Sequence, residues 1–203
     1  MTGRRSAFAL IGSAAVVVAA SAAQVASAGE LNADQLVQLR AGEALVSVTP
    51  DDSGEADGHI EAVIDIPSPP HRVWLTMLDC ERSLKFVEHL KSCKVLQRGP
   101  NGSWDIREHH SKWLSILPEM VSVFRSDYVT DKEIRFERVS GGLRFLKGTW
   151  RFEALNGGMR TRVFYSVRIG ISAPIPGFMI RSQIEQDVPK LLKALRAETL
   201  SGR

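Results

Sequence analysis

Four closely spaced turn signals constrain the fold of this chain more than any other feature. Each one separates two stretches in which apolar and polar residues alternate, which is the pattern of a half-buried strand. The connections are too short for crossovers, so neighbouring strands must pair in antiparallel fashion. The turn signals are Gly99-Pro100-Asn101-Gly102, Thr130-Asp131-Lys132, Ser140-Gly141-Gly142 and Asn156-Gly157-Gly158.

Around these turns, residues 59–200 predict one strand, a short helical insert, six further strands and a long terminal helix. The predicted strands are residues 59–66, 93–98, 104–113, 120–129, 133–139, 144–155 and 160–171. The insert contains a helix with Val73, Trp74, Met77 and Leu78 on its apolar side, and a second helix near residues 82–90. We therefore expect an α+β fold, in which a curled antiparallel sheet of about seven strands grips the terminal helix and leaves a hollow between them.

The terminal helix, residues 178–200, has one apolar face. Its apolar residues recur at steps of four, four, three and four, which is the spacing of a helix that buries one side. They are Ile180, Ile184, Val188, Leu191 and Leu195.

Residues 1–28 carry the three parts of a secretory signal peptide. Arg4 and Arg5 form a positive start, an alanine- and valine-rich run follows, and Ala26-Ser27-Ala28 places small residues before a cleavage site. We expect cleavage after Ala28 and export to the periplasm. The alternative is an uncleaved membrane anchor, because about twenty apolar residues span a bilayer. Residues 29–57 then form an extension of one helix and one strand, and residues 58–203 form the ligand-binding domain.

The charge balance argues against a nucleic-acid partner. The chain has 26 basic and 23 acidic residues, and loss of Arg4 and Arg5 with the signal segment leaves 24 against 23. A charge near +1 provides no electrostatic attraction for a polyanion.

Cys80 and Cys93 are the two cysteines of the chain. An even cysteine count in an exported protein predicts a disulfide, which would staple the helical insert to the sheet. The alternative is two buried free thiols.

Several segments resemble the START-like, or SRPBCC, superfamily. Residues 64–74, Ile-Asp-Ile-Pro-Ser-Pro-Pro-His-Arg-Val-Trp, resemble that family's passage from strand to helix; residues 90–96 resemble its second strand, and residues 148–152 and the terminal helix fit its later part. Within the superfamily, the chain is most similar to the branch of coenzyme Q-binding and polyketide cyclase/dehydrase proteins. The resemblance implies a helix-grip fold whose cavity binds lipids, sterols, quinones or polyketides, with enzymatic activity in a minority of members. No cofactor is required.

The strand at residues 104–113 has two possible registers. In the register that we favour, Ile106, Glu108 and His110 face the hollow, and Arg138 or His110 would pair with Glu108. In the other register, Arg107, His109 and Trp113 face it. His109 and His110 cannot jointly bind a metal ion, because adjacent strand residues point to opposite faces.

Aromatic side chains on other strands are also candidates for ligand contact. Tyrosine hydroxyls can anchor a carbonyl or hydroxyl group, and the rings supply apolar surface, although all of these residues could equally be core. With two residues of the terminal helix, they are Phe124, Tyr128, Phe136, Trp150, Tyr165, Phe178 and Ile184.

Two apolar segments, residues 113–118 and 175–178, either flank the mouth of the hollow or pack into the core. At the mouth they would form a gate or make transient membrane contact.

Three functions fit this sequence, and the first is our expectation. It is an exported carrier of a lipophilic small molecule. The second is a polyketide cyclase- or dehydratase-like enzyme with Glu108 and His110 as acid and base. The third is a partner- or membrane-interaction module with a filled interior, using residues 113–118.

Overall fold

The helices and strands follow the order that the sequence predicts. The computed structural model describes residues 31–50, 57–112, 119–171 and 177–202. Contacts divide the chain into two units, Met1–Leu31 and Asn32–Arg203, and the described helices and strands belong to the second unit. Its elements are α1 Ala33–Ala41, β1 Leu45–Pro50, β2 Asp57–Ile66, α2 Pro70–Leu78, α3 Cys80–Phe86, β3 Leu90–Arg98, β4 Trp104–Ser111, β5 Met120–Val129, β6 Glu133–Gly141, β7 Leu143–Leu155, β8 Arg160–Ile171 and α4 Gly177–Ser201.

The strands form one open antiparallel sheet in the order β1-β2-β8-β7-β6-β5-β4-β3. The chain crosses from β2 to the far edge through α2 and α3, and then returns strand by strand until β8 pairs with β2. The described sheet has eight strands rather than about seven, because β1 from the N-terminal extension pairs with β2. The α+β helix-grip prediction is therefore confirmed, with one additional strand at the edge.

One face of the sheet, here called the inner face, packs against the helices α2 and α4. It carries the buried residues Ile64, Phe136 and Val163, which belong to one hydrophobic core with Trp74 and Ile184. The opposite face is called the outer face. Helix α1 contacts β1 and β2, with Leu39 fully buried and Val63 nearly so.

Helix α4 buries one face, as the periodicity predicts. Its buried residues are Ile180, Ile184, Val188, Leu192, Leu195 and Thr199. The prediction of Leu191 was wrong in detail: Leu192 is fully buried, while Leu191 is only partly buried at the edge of the core. The helix contacts mainly α2, α3, β1 and β2. No helix among the described residues is both long enough and apolar enough to cross a membrane.

Helix α3 begins two residues before its predicted start. The Asp79 carboxylate accepts hydrogen bonds from the backbone N–H groups of Glu81 and Arg82, which satisfies donors at the start of a helix. A disulfide joins Cys80 to Cys93 with 5.5 Å between their Cα atoms. The predicted staple between the helical insert and the sheet is thus present.

Candidate functional site on the inner face of the sheet

A continuous row of five rings crosses the inner face. The ring of His109 meets the ring of Phe124 at a centroid distance of 4.7 Å, and Phe124 meets Phe136 at 6.4 Å, both edge to face. Phe136 stacks on Tyr165 at 6.3 Å, and Tyr165 stacks on Trp150 at 4.0 Å. The first three separations fall within the range of favourable aromatic pairs, and the stack of Tyr165 on Trp150 is closer still. We call these five residues the ring row.

Gly148 allows the middle of the ring row to form. It lies on β7 between Phe136 of β6 and Val167 of β8. A Cβ atom at this position would lie 2.5 Å from Phe136 Cζ and 2.6 Å from the Ser166 carbonyl oxygen. Because Gly148 has no side chain, the rings of Phe136 and Tyr165 meet across β7.

Trp74 of α2 covers the ends of two inner-face strands. Its indole contacts the ring of Tyr128 at 5.6 Å and the ring of Phe152 at 6.0 Å, both edge to face. Trp74 is 4 % exposed. This indole therefore fixes the distance between α2 and the sheet.

Arg107 is buried on the inner face with nearly all of its donors in use. Its Nε donates to both carboxylate oxygens of Asp105, at 3.1 and 3.0 Å. Its Nη1 donates to the carbonyl of Met77 at 3.2 Å, and its Nη2 donates to the carbonyl of Leu78 at 2.8 Å and to Tyr128 Oη at 3.1 Å. The two carbonyls belong to the end of α2, where a helix has no internal donors for them. Arg107 thus ties α2 to β4 and β5.

The favoured register of β4 was wrong, and the alternative register is observed. Ile106, Glu108 and His110 lie on the outer face, where they pair with Arg125, Val123 and Val121 of β5. They therefore cannot line the space between the sheet and α4.

The reason for this register is the pair Asp105 and Arg107. Two residues apart on one strand, they share a face and neutralise each other, so both can be buried. The spacing alone could not have identified the inner face, because Arg125 and Asp127 repeat it on the outer face. Trp113, which the alternative register also placed inside, lies outside the described residues.

His110 takes part in a solvent-facing network instead. Its Nε2 lies 3.1 Å from Glu108 Oε1, and its Nδ1 lies 2.6 Å from Glu119 Oε1. These hydrogen bonds, first to Glu119 and then to Glu108, raise the pKa of His110. The predicted partnership of Glu108 with His110 is present, but it does not involve Arg138.

His109 is a neutral imidazole at the end of the ring row. Burial and the positive charge of Arg107 lower the pKa of His109 to about 4. Its Nε2 is buried and has no hydrogen-bond partner in the described part of the chain. Sequence reasoning placed this residue inside only in the register that it did not favour.

Arg138 lies on the inner face where β6 parts from β7. The two strands pair from Glu133 to Glu137 on the β6 side, and beyond that point β6 pairs only with β5 while β7 pairs only with β8. Arg138 is directly opposite Phe124. Its Nη2 donates to the Gly141 carbonyl at 3.0 Å, whereas its buried Nε has no partner among the residues described.

The two candidate residues of α4 have different positions. Ile184 is 6 % exposed and belongs to the core, whereas Phe178 is 70 % exposed in the first turn of the helix. Phe178 therefore does not line the inner face. The apolar segment 113–118 and residues 175–176 lie outside the described residues.

Tyr128 and Tyr165 are partly buried phenols packed against the core on the inner face. Burial is the largest cause that raises the pKa of each phenol, so both rings are surrounded by the protein. Both residues nevertheless keep part of their surface accessible. The accessible part of each ring is aromatic surface that another molecule can contact.

The described residues contain no group of three or more His, Cys, Asp or Glu side chains placed to hold a metal ion. The chemistry that this face offers is apolar and aromatic contact, with polar groups at His109 and Arg138.

Comparison with solved structures supports the fold. A STAR-related lipid transfer protein fragment from Xanthomonas axonopodis aligns with a TM-score of 0.65 and 15% identity, over 78% of this chain and 94% of that chain. The lipid transfer and protein localization domain of human StarD13 aligns with a TM-score of 0.64 and 15% identity, over 83% and 98%.

The Zhui aromatase/cyclase from Streptomyces sp. R1128 aligns with a TM-score of 0.60 and 15% identity, over 71% of this chain and 94% of that one. At these identities, the three likenesses show the fold alone. No curated protein matches the chain by sequence.

The sequence profile of one protein family matches most of the folded unit. It covers residues 66–196, from the end of β2 to the last turns of α4, and is described as polyketide cyclase / dehydrase and lipid transport. This match and the structural neighbours confirm the resemblance to START-like proteins that the sequence predicts. The chain therefore belongs to the polyketide cyclase/dehydrase and lipid transport family.

Proposed function

We propose that this protein binds a lipophilic small molecule between the inner face of the sheet and α4, and that it acts as a carrier. The ring row carries the proposal, because it is a broad apolar surface that faces the protein interior and yet keeps accessible area at Tyr165. Removing about 400 Å² of ligand apolar surface from water would gain roughly 10 kcal/mol before the costs of association.

The family and its structural relatives support the same class of ligand. The family description includes lipid transport, and two of the aligned structures are lipid transfer domains. An enzymatic function has less support in this chain. Glu108 and His110, the acid–base pair that the sequence suggested, lie on the outer face and cannot reach a substrate between sheet and helix.

We also propose that the carrier is exported. The signal-peptide pattern of residues 1–28 supports export, and so does the Cys80–Cys93 disulfide, since disulfides persist in oxidising compartments. Under this proposal, residues 29–57 precede the ligand-binding domain at 58–203. Exposed Phe178 and Met179 at the start of α4 would then be available for transient membrane contact.

The proposal can be tested with two tryptophan variants and the neutral, polarity-sensitive dye Nile red. Trp150 lies in the ring row, whereas Trp104 lies on the outer face with the Arg125 guanidinium 4.4 Å from its ring centroid. Wild-type protein should bind the dye saturably, with blue-shifted emission. Trp150→Leu should weaken binding about tenfold, because it removes the stacked end of the row.

Trp104→Leu is the matched control and should bind the dye like wild type. Equal binding by all three proteins, or binding that never saturates, would contradict a ligand site on the inner face. An inner face that excludes the dye altogether would favour the interaction module.

A further inference from the structure

The charges on the inner face do not balance. Arg107 is neutralised by Asp105, with 3.0 Å between Nε and Oδ2. His109 is neutral at pH 7, since the pKa of its imidazole is about 4. Arg138 is the remaining basic side chain of the three. Within the described ranges, no carboxylate lies within 4.0 Å of its guanidinium, so its positive charge is not neutralised.

Three acidic side chains on β6 and β4 are paired with other basic residues. Glu137 is on the outer face and pairs with Lys147 at 3.3 Å. Glu133 pairs with Arg135. Glu108 pairs with His110 across the sheet from Arg138. Among the internal segments outside the described residues, 113–118 and 172–176 contain no Asp or Glu in their sequences, whereas 51–56 contains Asp51, Asp52 and Glu55.

A half-buried guanidinium without a counter-ion is costly. A buried charge normally has an ionic partner, and a buried N–H without an acceptor loses roughly 1–3 kcal/mol. Arg138 has both deficits, because its Nε is buried and lacks an acceptor. An anion that approaches the guanidinium would remove them together, and Arg binds carboxylate and phosphate groups especially well.

The position of Arg138 indicates which part of a ligand would carry this anion. Arg138 faces Phe124 at the His109 end of the ring row, where β6 and β7 no longer pair. The row continues from Phe124 through Phe136 to Tyr165 and Trp150. A molecule with its anionic head at Arg138 would therefore lay its apolar part along the rings.

We infer that the ligand is an amphipathic acid, with a carboxylate or phosphate head held by Arg138 and an apolar body on the ring row. The inference rests on the proposed function and narrows it from any lipophile to an anionic one. His109 Nε2, on the other side of Phe124, is a second buried polar atom without a partner among the described residues, and it carries no charge at pH 7.

The test compares ligands that share one tail and differ in the head. Dodecanoic acid, dodecan-1-ol and methyl dodecanoate are titrated at about pH 8, where a carboxylic acid is ionised, and dodecyl phosphate is added to distinguish the two anions. Binding is measured by displacement of Nile red. Wild-type protein should bind at least one of the two anions at least about tenfold more tightly than the alcohol and the ester, since a charge-assisted hydrogen bond contributes that much.

Two variants of Arg138 and one matched control show whether Arg138 causes the tighter binding of the anionic ligands. Arg138→Gln should abolish it while leaving affinity for the alcohol and the ester within about twofold, and Arg138→Lys should retain part of it. Arg135→Gln is the control, because Arg135 lies on the same strand, exposed on the outer face. It should keep the full preference. The wild-type comparison needs no variant, so a folding defect in Arg138→Gln would not prevent the test.

Three outcomes would count against the inference. If wild type binds all four ligands equally, or if Arg138→Gln keeps the preference for the anion, the anionic head site is wrong and the lipophile carrier stands. If none of the four ligands displaces the dye and the dye itself does not bind, the carrier is wrong as well.

Discussion

Arg107 and Arg125 illustrate how one local pattern has opposite consequences on the two faces of a sheet. Each arginine donates hydrogen bonds to both carboxylate oxygens of an aspartate two residues away on its own strand. Arg107 donates to Asp105, and Arg125 donates to Asp127. The first pair is buried, and the second is about half exposed. Only the first also satisfies the carbonyls at the end of α2.

We expect Arg107→Met to lower the free energy of unfolding by about 3–5 kcal/mol. The substitution leaves the Asp105 carboxylate buried without its partner, which is the costly case for a buried ion pair. Urea unfolding followed by circular dichroism measures the change. Arg125→Met is the matched control and should unfold at nearly the wild-type urea concentration. Similar losses in the two variants would show that Arg107 has no special structural role.

His109 should make the protein sensitive to acid. Its pKa is about 4 in the folded chain and about 6.5 when unfolded. The unfolded state therefore binds more protons between these values, and stability falls as the pH drops from about 6.5 towards 4, by up to roughly 1.4 kcal/mol per pH unit.

His109→Gln removes the titrating group and should remove this part of the pH dependence. The stability difference between wild type and variant, from urea unfolding at several pH values, should be constant above pH 7 and should shift in favour of the variant below about pH 6.5. A difference that is independent of pH would contradict a buried, neutral His109.

At the level of strands, Gly148 of β7 leaves the space in which the rings of Phe136 on β6 and Tyr165 on β8 meet. Gly148→Ala would place a Cβ atom against Phe136 and the Ser166 carbonyl. The backbone of β8 cannot retreat easily, so Phe136 must move and the row must break. We expect a loss of about 1–3 kcal/mol in stability, as for other overpacked cores, together with weaker binding of Nile red.

Another glycine-to-alanine change, Gly157→Ala, cannot serve as the control for Gly148→Ala, because Gly157 has a positive φ of 67° that alanine rarely adopts. A suitable control is Thr149→Ala, on the neighbouring residue of β7 and the opposite face. This variant should bind the dye like wild type. An unchanged affinity in Gly148→Ala would show that the joined rings of Phe136 and Tyr165 are not needed for the site.

The elements were predictable because their signals are local. Alternation and short turns predicted both end residues of β5 and of β8. A capping box formed by Asn32 and Gln35 begins α1. The face of β4 was not predictable from alternation alone, since both of its faces carry polar residues. It depends on hydrogen bonds from Arg107 to the end of α2, about thirty residues away in sequence.

The candidate site was predictable to a different extent on different strands. Phe124, Phe136, Trp150 and Tyr165 lie together on the inner face as expected, because their strands alternate cleanly. Arg138 or His110 was expected to pair with Glu108; His110 does so, and Arg138 has no acidic partner among the described residues. Which charges find partners is a property of the assembled sheet, so alternation along single strands could not show it.

For the whole molecule, we expect the mature chain to begin at Gly29. Cleavage after Ala28 would leave Asn32, the N-cap of α1, three residues from the new terminus. Intact-mass measurement and N-terminal sequencing of protein from the periplasmic fraction would check this site. A mass that includes residues 1–28, with the protein in the membrane fraction, would indicate an uncleaved anchor.

The most direct test of lipophile binding is native mass spectrometry of the protein isolated from the exported fraction, followed by organic extraction of whatever it carries. We predict one amphipathic acid per chain, released by the solvent and replaced when the empty protein is returned to a lipid extract. A chain that is empty as isolated, and that stays empty after exposure to lipids, sterols and quinones, would contradict a carrier function.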